Sequence, residues 1–126
     1  MLPSTLGTGT VVLGDGASSG SISQHHGSWT WSTDIEVTGS DNQILNNSLN
    51  FTERFFKLQG VISGSGGVTF SDAVGTMQSP DFGFILTGTN TIDGTITIDS
   101  GTPVRVGGVP ADSFSQDVDS SGSLGT

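Results

Sequence analysis

The feature that most constrains the fold of this chain is the brevity of its apolar segments, which run for three to five residues. Most are flanked by Gly, Ser, Thr, Asn or Asp, which favour turns. Several alternate with period two, so that Trp29 and Trp31, for example, face the same side of a strand. Roughly ten short strands at spacings near ten residues predict an all-β fold. The segments are Thr10–Leu13, Ser28–Trp31, Ile35–Thr38, Gln43–Leu45, Phe55–Leu58, Val61–Ser63, Val68–Phe70, Gly83–Thr87, Thr95–Ile98 and Val104–Val106.

The composition agrees with short strands and tight corners. The 126 residues include 20 Gly, 19 Ser and 16 Thr, and only 32% are apolar, so neither a thick core nor a long helix is expected. The regular apolar bursts argue against a disordered chain. We therefore expect one domain over residues 1–111 and an acidic, Gly- and Ser-rich tail over 112–126, which is either flexible or an interaction segment.

Three all-β architectures fit short strands: a sandwich, a closed barrel and a solenoid. Hairpin folds favour two-residue turns between strands of five or six residues, whereas most segments here are shorter. Stacked coils also explain the scarcity of charge, because like charges about 4.8 Å apart would lie directly over each other. The weak similarity of 37–44 to 86–92 further suggests repetition. The sequence favours a β-solenoid, with a β-sandwich as the alternative.

Three segments resemble the autotransporter-associated β-strand repeat, namely Gly60-Val-Ile-Ser-Gly-Ser-Gly-Gly-Val68, Leu86-Thr-Gly-Thr-Asn-Thr-Ile92 and Gly94-Thr-Ile-Thr-Ile-Asp-Ser-Gly-Thr102. The resemblance covers residues 60–106 well and 10–62 loosely. Ile92 stands where the repeat usually has Tyr, and an insertion around 77–84 separates two of the segments.

This resemblance implies a right-handed parallel β-helix in the secreted passenger of a large bacterial surface protein. It implies a scaffold and no catalytic residues. At about twenty residues a coil, the chain would form roughly six coils. It also implies an extracellular or cell-surface location. Met1-Leu-Pro-Ser4 lacks the charged and apolar regions of a signal peptide, so we expect any export signal to lie outside this chain.

Charge and cysteine content exclude several classes of partner and site. The net charge is −9, and the basic residues are Arg54, Lys57 and Arg105 alone. Nucleic acids and anionic membranes need clustered Lys and Arg, so neither is an expected partner, and no membrane-inserting segment is recognised. The absence of Cys excludes disulfides and thiolate metal sites.

Two motifs suggest catalysis but have simpler explanations. Residues 16–20 match G-x-S-x-G, which is meaningful only on a strand-to-helix turn of an α/β sheet. Asp99-Ser-Gly-Thr102 resembles an aspartic-protease loop, but such a site needs two carboxylates that share a proton, and one copy occurs here. We expect no enzyme activity and no cofactor.

Metal ligands are equally sparse. His25 and His26 are adjacent, so on a strand they would point to opposite faces, and an exposed turn is expected instead. Asp117, Asp119 and Ser121 match the first ligands of a calcium loop, but the chain ends before its twelfth position. They form a weak calcium candidate, and a solvated acidic tail is the preferred interpretation.

Four residues are candidates for ligand or partner contacts. Trp29 and Trp31 share a strand face and either stack on a sugar or fill the inside of a wide coil, and we favour the second. Arg54 and Lys57 lie in an aromatic segment and are either the positive half of a subunit contact or plain surface charges.

The sequence thus predicts a non-enzymatic extracellular structural or adhesin module. Its partners are expected to be neighbouring repeats of a longer chain or other copies of itself, stacked head to tail into a filament. The alternative is a carbohydrate-binding β-helix, or a vestigial glycan-acting enzyme, that recognises surface glycans through exposed Trp residues.

Overall fold

The structure of the protein is a computed structural model that describes residues 9–48, 54–72, 82–99 and 102–106. This part of the chain contains twelve short strands and no helix. The strands are β1 Val11–Leu13, β2 Ser21–Gln24, β3 Trp29–Trp31, β4 Ile35–Val37, β5 Asn42–Asn46, β6 Arg54–Leu58, β7 Ile62–Gly64, β8 Val68–Asp72, β9 Phe82–Leu86, β10 Thr91–Ile92, β11 Ile96–Ile98 and β12 Val104–Val106.

Every third strand of the chain joins the same sheet. The first sheet has the order β1-β4-β7-β10, the second β2-β5-β8-β11 and the third β3-β6-β9-β12, and all neighbours pair in parallel. Three consecutive strands therefore form one coil, and each coil stacks on the preceding one. This confirms the all-β parallel solenoid and excludes the antiparallel sandwich.

The described residues form four coils, where the sequence predicted roughly six. Val11 pairs with Ile35 and Ile35 with Ile62, so successive coils are 24 and 27 residues long rather than about twenty. The additional length lies in the corners, since β1 ends at Leu13 and β2 begins only at Ser21. The right-handed sense of the coils stays a prediction.

The interior of the solenoid consists mainly of apolar columns. In the third sheet, Trp29, Phe56, Phe84 and Val104 occupy equivalent positions in successive coils. Within this column, the ring centroids of Phe56 and Phe84 lie 6.0 Å apart. Trp31, which belongs to the adjacent column, meets Phe56 edge to face with ring centroids 5.5 Å apart. Such contacts add to the hydrophobic free energy of burial, which makes this column a main stabilising element.

One interior column is polar. Gln24, Asn46 and Asp72 align in the second sheet, and their exposed fractions are only 4%, 0% and 7%. The side-chain amide of Gln24 donates to Asn46 Oδ1, and Asn46 Nδ2 donates to the carbonyl of Gly83 at 3.1 Å. Hydrogen bonding offsets the cost of burying these amides, and it links coils one, two and three.

The corner between the first and second strands of each coil is built from stacked backbone. A Cβ atom at Gly66 would lie 2.6 Å from the carbonyl oxygen of Gly39, and one at Gly94 would lie 2.2 Å from that of Gly66. A side chain at either position would push the coils apart, so the close approach requires glycine.

Two remaining predictions concern boundaries. The solenoid was expected over residues 1–111, and the last described strand ends at Val106. The acidic tail at 112–126 lies outside the described residues. Within the part that the structure describes, no helix has the length and apolar character needed to cross a membrane.

Candidate functional site

The outward face of the second sheet carries an aligned row of polar side chains. Parallel pairing places Ser21, Gln43, Thr69 and Thr97 at equivalent positions of the four coils. Their neighbours along each strand point inward, as the burial of Ile44 and Phe70 shows. Because stacked strands lie about 4.8 Å apart, the row presents one hydrogen-bonding side chain per coil over about 14 Å.

This row borders a shallow depression, which we call the outer trough. One cavity of about 400 Å³ lies against coils two to four, and a second of about 270 Å³ lies against coils one and two. Asp41 lines both cavities, so they adjoin. The first is lined by Gly39, Ser40, Asp41, Ser65, Gly67, Val68, Thr69, Gly94, Thr95 and Thr97, and the second by Ser19, Gly20, Ser21, Asp41 and Gln43.

Asp41 has an unusual backbone conformation. It is the one non-glycine residue with positive φ, 63°, in the described part of the chain. Asp is among the residues that tolerate this region best, and such strain is often found at functional sites. Its side chain is exposed, and Oδ2 accepts a hydrogen bond of 3.3 Å from the Ser40 hydroxyl.

The polar side chains of the outer trough differ from those inside the solenoid. Asn42, for example, is buried, donates to the carbonyls of Thr38 and Gly67 and accepts from the amide of Gly20. By contrast, within the described residues the side chains of Gln43, Thr69, Thr97 and their trough neighbours Ser65 and Thr95 make no internal hydrogen bond. Their donors and acceptors therefore remain available to a ligand.

The electrostatic character of the outer trough is mildly acidic. Asp41 lines it, and no Lys or Arg is among its described lining residues. On the corner beside it, the backbone amides of Ser18 and Ala17 donate to Asp15 Oδ1 and lower the pKa of that carboxyl. Gly16 in that corner stacks against Gly39 of the next coil.

The tryptophan pair lies on the inward face of β3, at one end of the stack. Both rings are half-buried and pack against the apolar core. The indole N–H of Trp29 donates to the carbonyl of His26 at 2.7 Å, and Trp31 packs on Phe56. This placement favours the coil-filling role over a sugar-stacking platform.

The two cations that are candidates either for partner contacts or for plain surface charges lie on β6. Lys57 is half-buried on the outward face, between Thr30 of β3 and Ile85 of β9 in the sheet. Arg54 opens the strand and pairs in register with Phe82, while its side chain lies outside the described residues. Lys57 is not among the described residues that line the outer trough, and it lies on the face of the sheet opposite to Trp29 and Trp31.

The histidines and the two enzyme-like motifs all fall in or beside turns. His25 and His26 are exposed in the turn after β2, as expected, and His25 Nε2 lies 3.0 Å from the hydroxyl of Ser23. Residues 16–20 form the corner between β1 and β2, not a strand-to-helix turn. Asp99 is exposed just after β11.

Metal candidates receive no support from the described residues. The calcium candidate Asp117, Asp119 and Ser121 lies outside them. Among the residues that the structure does describe, no group of three or more His, Asp or Glu side chains is placed to hold a metal ion.

Sequence reasoning missed the outer trough because its residues are common in this chain. Thr69 and Thr97 are two of 16 threonines, and only the register of β8 with β11 shows that they align. A usable signal was the recurrence of a Thr with apolar residues on both sides, as in Val68-Thr69-Phe70 and Ile96-Thr97-Ile98.

Comparison of this chain with protein-family models, with curated proteins and with solved structures gave no match. The autotransporter repeat therefore stays a prediction from the motifs quoted above.

Proposed function

We propose that this chain is a non-enzymatic structural module of an extracellular bacterial surface protein, in which it serves as a rigid spacer. The observation that supports this role is the unbroken register of three parallel sheets through four coils. Backbone hydrogen bonds run along the stacking axis while apolar columns fill the interior, which resists both bending and proteolysis.

Four coils alone would span only about 19 Å, so a useful rod requires a longer stack. We propose that neighbouring repeats or further copies of the chain supply it. Supporting this, Ile96 and Ile98 of β11 face inward but are only half-buried, whereas their column neighbours Val68 and Phe70 are 2% and 0% exposed. A coil added beyond β11 would bury both side chains.

The edges of the second sheet favour such an addition. β2 and β11 are its outermost strands, and each has one edge without a strand partner among the described residues. Unpaired edges accept further strands through backbone hydrogen bonds. The third sheet differs, because Val104 and Val106 of its last strand are already 0% and 2% exposed. We therefore expect contact between copies to centre on β11 and β2.

Electron microscopy combined with sedimentation tests this proposal. Rods or filaments that lengthen with protein concentration are expected, and Ile98→Lys should shorten them because it places a charge in the proposed contact. Thr97→Lys, on the outward face of the same strand, is the matched control and should leave length unchanged. Compact single particles at every concentration would contradict stacking between copies, and rapid proteolysis of β5 or β8 would contradict the rigid spacer.

A further inference from the structure

The outer trough presents side-chain groups that the fold itself does not use. Gln43, Thr69 and Thr97 are aligned, accessible and without internal hydrogen bonds in the described part of the chain. A ligand that uses them must offer hydroxyl or amide partners repeated along the solenoid axis. It must also lie flat, because the depression is shallow and spans several coils.

The charge of the outer trough selects among such ligands. Asp41 lies where the two cavities adjoin, their described lining residues include no Lys or Arg, and the whole chain carries a net charge of −9. Phosphate-bearing and other polyanionic chains are therefore disfavoured. A carboxylate is instead a strong acceptor for hydroxyl groups.

Peptides and apolar ligands fit less well. An extended peptide would need an unpaired backbone edge, but β5 and β8 are hydrogen-bonded on both sides within the second sheet. The apolar residue against the trough, Val68, is itself only 2% exposed. The surface available for contact therefore combines the carbon atoms of small residues with hydroxyl, amide and carboxylate groups.

Gly67, which lines the outer trough in the third coil, differs from the glycines at the stacked corners. Its φ lies outside the positive region, and a Cβ there would be no closer than 3.6 Å to its neighbours, the carbonyl oxygen of Thr95 and the backbone nitrogen of Asp41. Neither conformation nor packing demands glycine, unlike at Gly66 and Gly94. What glycine does at position 67 is keep the centre of the trough open.

We propose that the outer trough binds an extended, uncharged glycan, laid along the solenoid axis across coils two to four. In this arrangement sugar hydroxyl groups donate to Asp41 and exchange hydrogen bonds with Thr69 and Thr97, while Gly67 leaves room for the sugar ring. The site is distinct from Trp29 and Trp31. Glycan binding is a function additional to the spacer role, because the solenoid could act as a spacer without binding a glycan.

The test uses the full chain, labelled with ¹⁵N, and three neutral hexasaccharides: β-1,4-linked glucose, β-1,4-linked mannose and α-1,4-linked glucose. At least one should shift the amide signals of Gln43, Thr69 and Thr97 in a saturable way. Hexagalacturonate, an anionic comparator, should bind at least tenfold more weakly. If no neutral sugar produces saturable shifts at these residues, the proposal is wrong.

Variants of the outer trough locate the site. Thr69→Val with Thr97→Val removes two hydroxyl groups and should weaken binding about tenfold or more. Gly67→Leu fills the centre and should abolish binding, with the pattern of amide signals otherwise preserved. The matched control is Thr91→Val, an exposed threonine in the outward row of the first sheet, which should leave affinity unchanged.

Two results would overturn the assignment while leaving the spacer role intact. Undiminished binding by Gly67→Leu would place the sugar elsewhere on the surface. Loss of binding in Trp31→Phe, with the outer-trough variants unaffected, would place it at the tryptophan pair. A change in rod length in the absence of any sugar bears on stacking alone, so the two proposals can fail separately.

Discussion

Two buried columns in neighbouring sheets hold the same coils together by different physical means. The aromatic column contains Phe56 and Phe84, both 0% exposed, which contact each other through their rings. The polar column contains Gln24, Asn46 and Asp72, which are buried to nearly the same extent. The first is stabilised by dispersion and the hydrophobic effect, and the second by directional hydrogen bonds.

The difference between the columns concerns how strictly each fixes the stacking of coils. The aromatic column tolerates mixed shapes, since Trp29 lies at one end and Val104 at the other. The polar column needs a particular partner at each level, because a buried amide displaced by one residue would lose its hydrogen bonds. We infer that the aromatic column supplies most of the stability and the polar column most of the register.

The largest expected effect follows from emptying the aromatic column. Phe56→Ala leaves a cavity between Trp31 and Phe84 and should lower the free energy of unfolding by about 3–5 kcal/mol. Chemical denaturation monitored by tryptophan fluorescence measures this change. Phe56→Leu is the control and should cost much less, and a loss below about 1 kcal/mol for Phe56→Ala would refute the central role of this column.

Breaking the polar column should lower the free energy of unfolding less than emptying the aromatic column does. It tests more directly what fixes the register of the coils. Asn46→Leu leaves the Gln24 amide and the Gly83 carbonyl without this partner, with an expected loss of about 2–3 kcal/mol. Ile44→Leu, in the neighbouring apolar column of the same strand, is the control and should lower the free energy of unfolding by less than about 1.5 kcal/mol. Denaturant titration of both variants gives the comparison.

A double substitution tests whether the two buried amides act as a pair. Gln24→Leu combined with Asn46→Leu removes both amides, so the pair should be less destabilising than the sum of the single changes. Amide hydrogen exchange in β2 and β5 should nevertheless accelerate, because the buried side-chain hydrogen bonds no longer help to fix the register. Unchanged protection of both strands would contradict the role of the polar column in register.

The strands could be predicted from the sequence where apolar residues alternate, as in Trp29 to Trp31, Ile35 to Val37 and Ile96 to Ile98. Two strands were missed for identifiable reasons. β2, Ser21–Gln24, carries one apolar residue and buries a glutamine, and β10, Thr91–Ile92, is only two residues long. A strand whose inward position is polar gives no alternating hydrophobic signal.

The repeat proposed from sequence did not correspond to the coil. Residues 37–44 span the corner between β4 and β5, whereas 86–92 span the different corner between β9 and β10. The true equivalence joins Gly39, Gly66 and Gly94, whose backbones stack. Corner composition is similar throughout the chain, so local similarity could not distinguish one corner from another. The outer trough depends on that same register, which is why no single segment predicted it.

A smaller effect is expected where a threonine supports the end of the polar column. The hydroxyl of Thr102 accepts a hydrogen bond of 3.1 Å from the backbone amide of Asp72, and Thr102 is 1% exposed. Thr102→Val keeps the shape and removes the acceptor, so unfolding should become easier by about 1 kcal/mol. Thermal melts of the two variants measure this loss, and Thr102→Ser should retain most of the stability. A loss for Thr102→Ser as large as that for Thr102→Val would assign the effect to packing instead.

The smallest effect is expected at Asp15. Its side chain also accepts hydrogen bonds from backbone amides, but it does so at the exposed surface, whereas Thr102 is buried. The amides of Ser18 and Ala17 donate to its carboxylate at 2.6 and 2.9 Å and lower the pKa of Asp15 in the folded state. Its stabilising contribution is therefore present above the unfolded pKa of about 3.9 and is lost as the pH falls through the lower folded value. The difference in melting temperature between the protein and Asp15→Ala should shrink as the solution is acidified below about pH 4, and a carboxyl ¹³C titration should give Asp15 a midpoint below the ordinary value.

Because Asp15 is exposed, water competes for its hydrogen bonds, and its removal should lower the free energy of unfolding far less than that of Asn46. A midpoint at or above the ordinary value would mean that the corner amides do not hold this carboxylate in solution, and only the buried polar groups would then fix the coils.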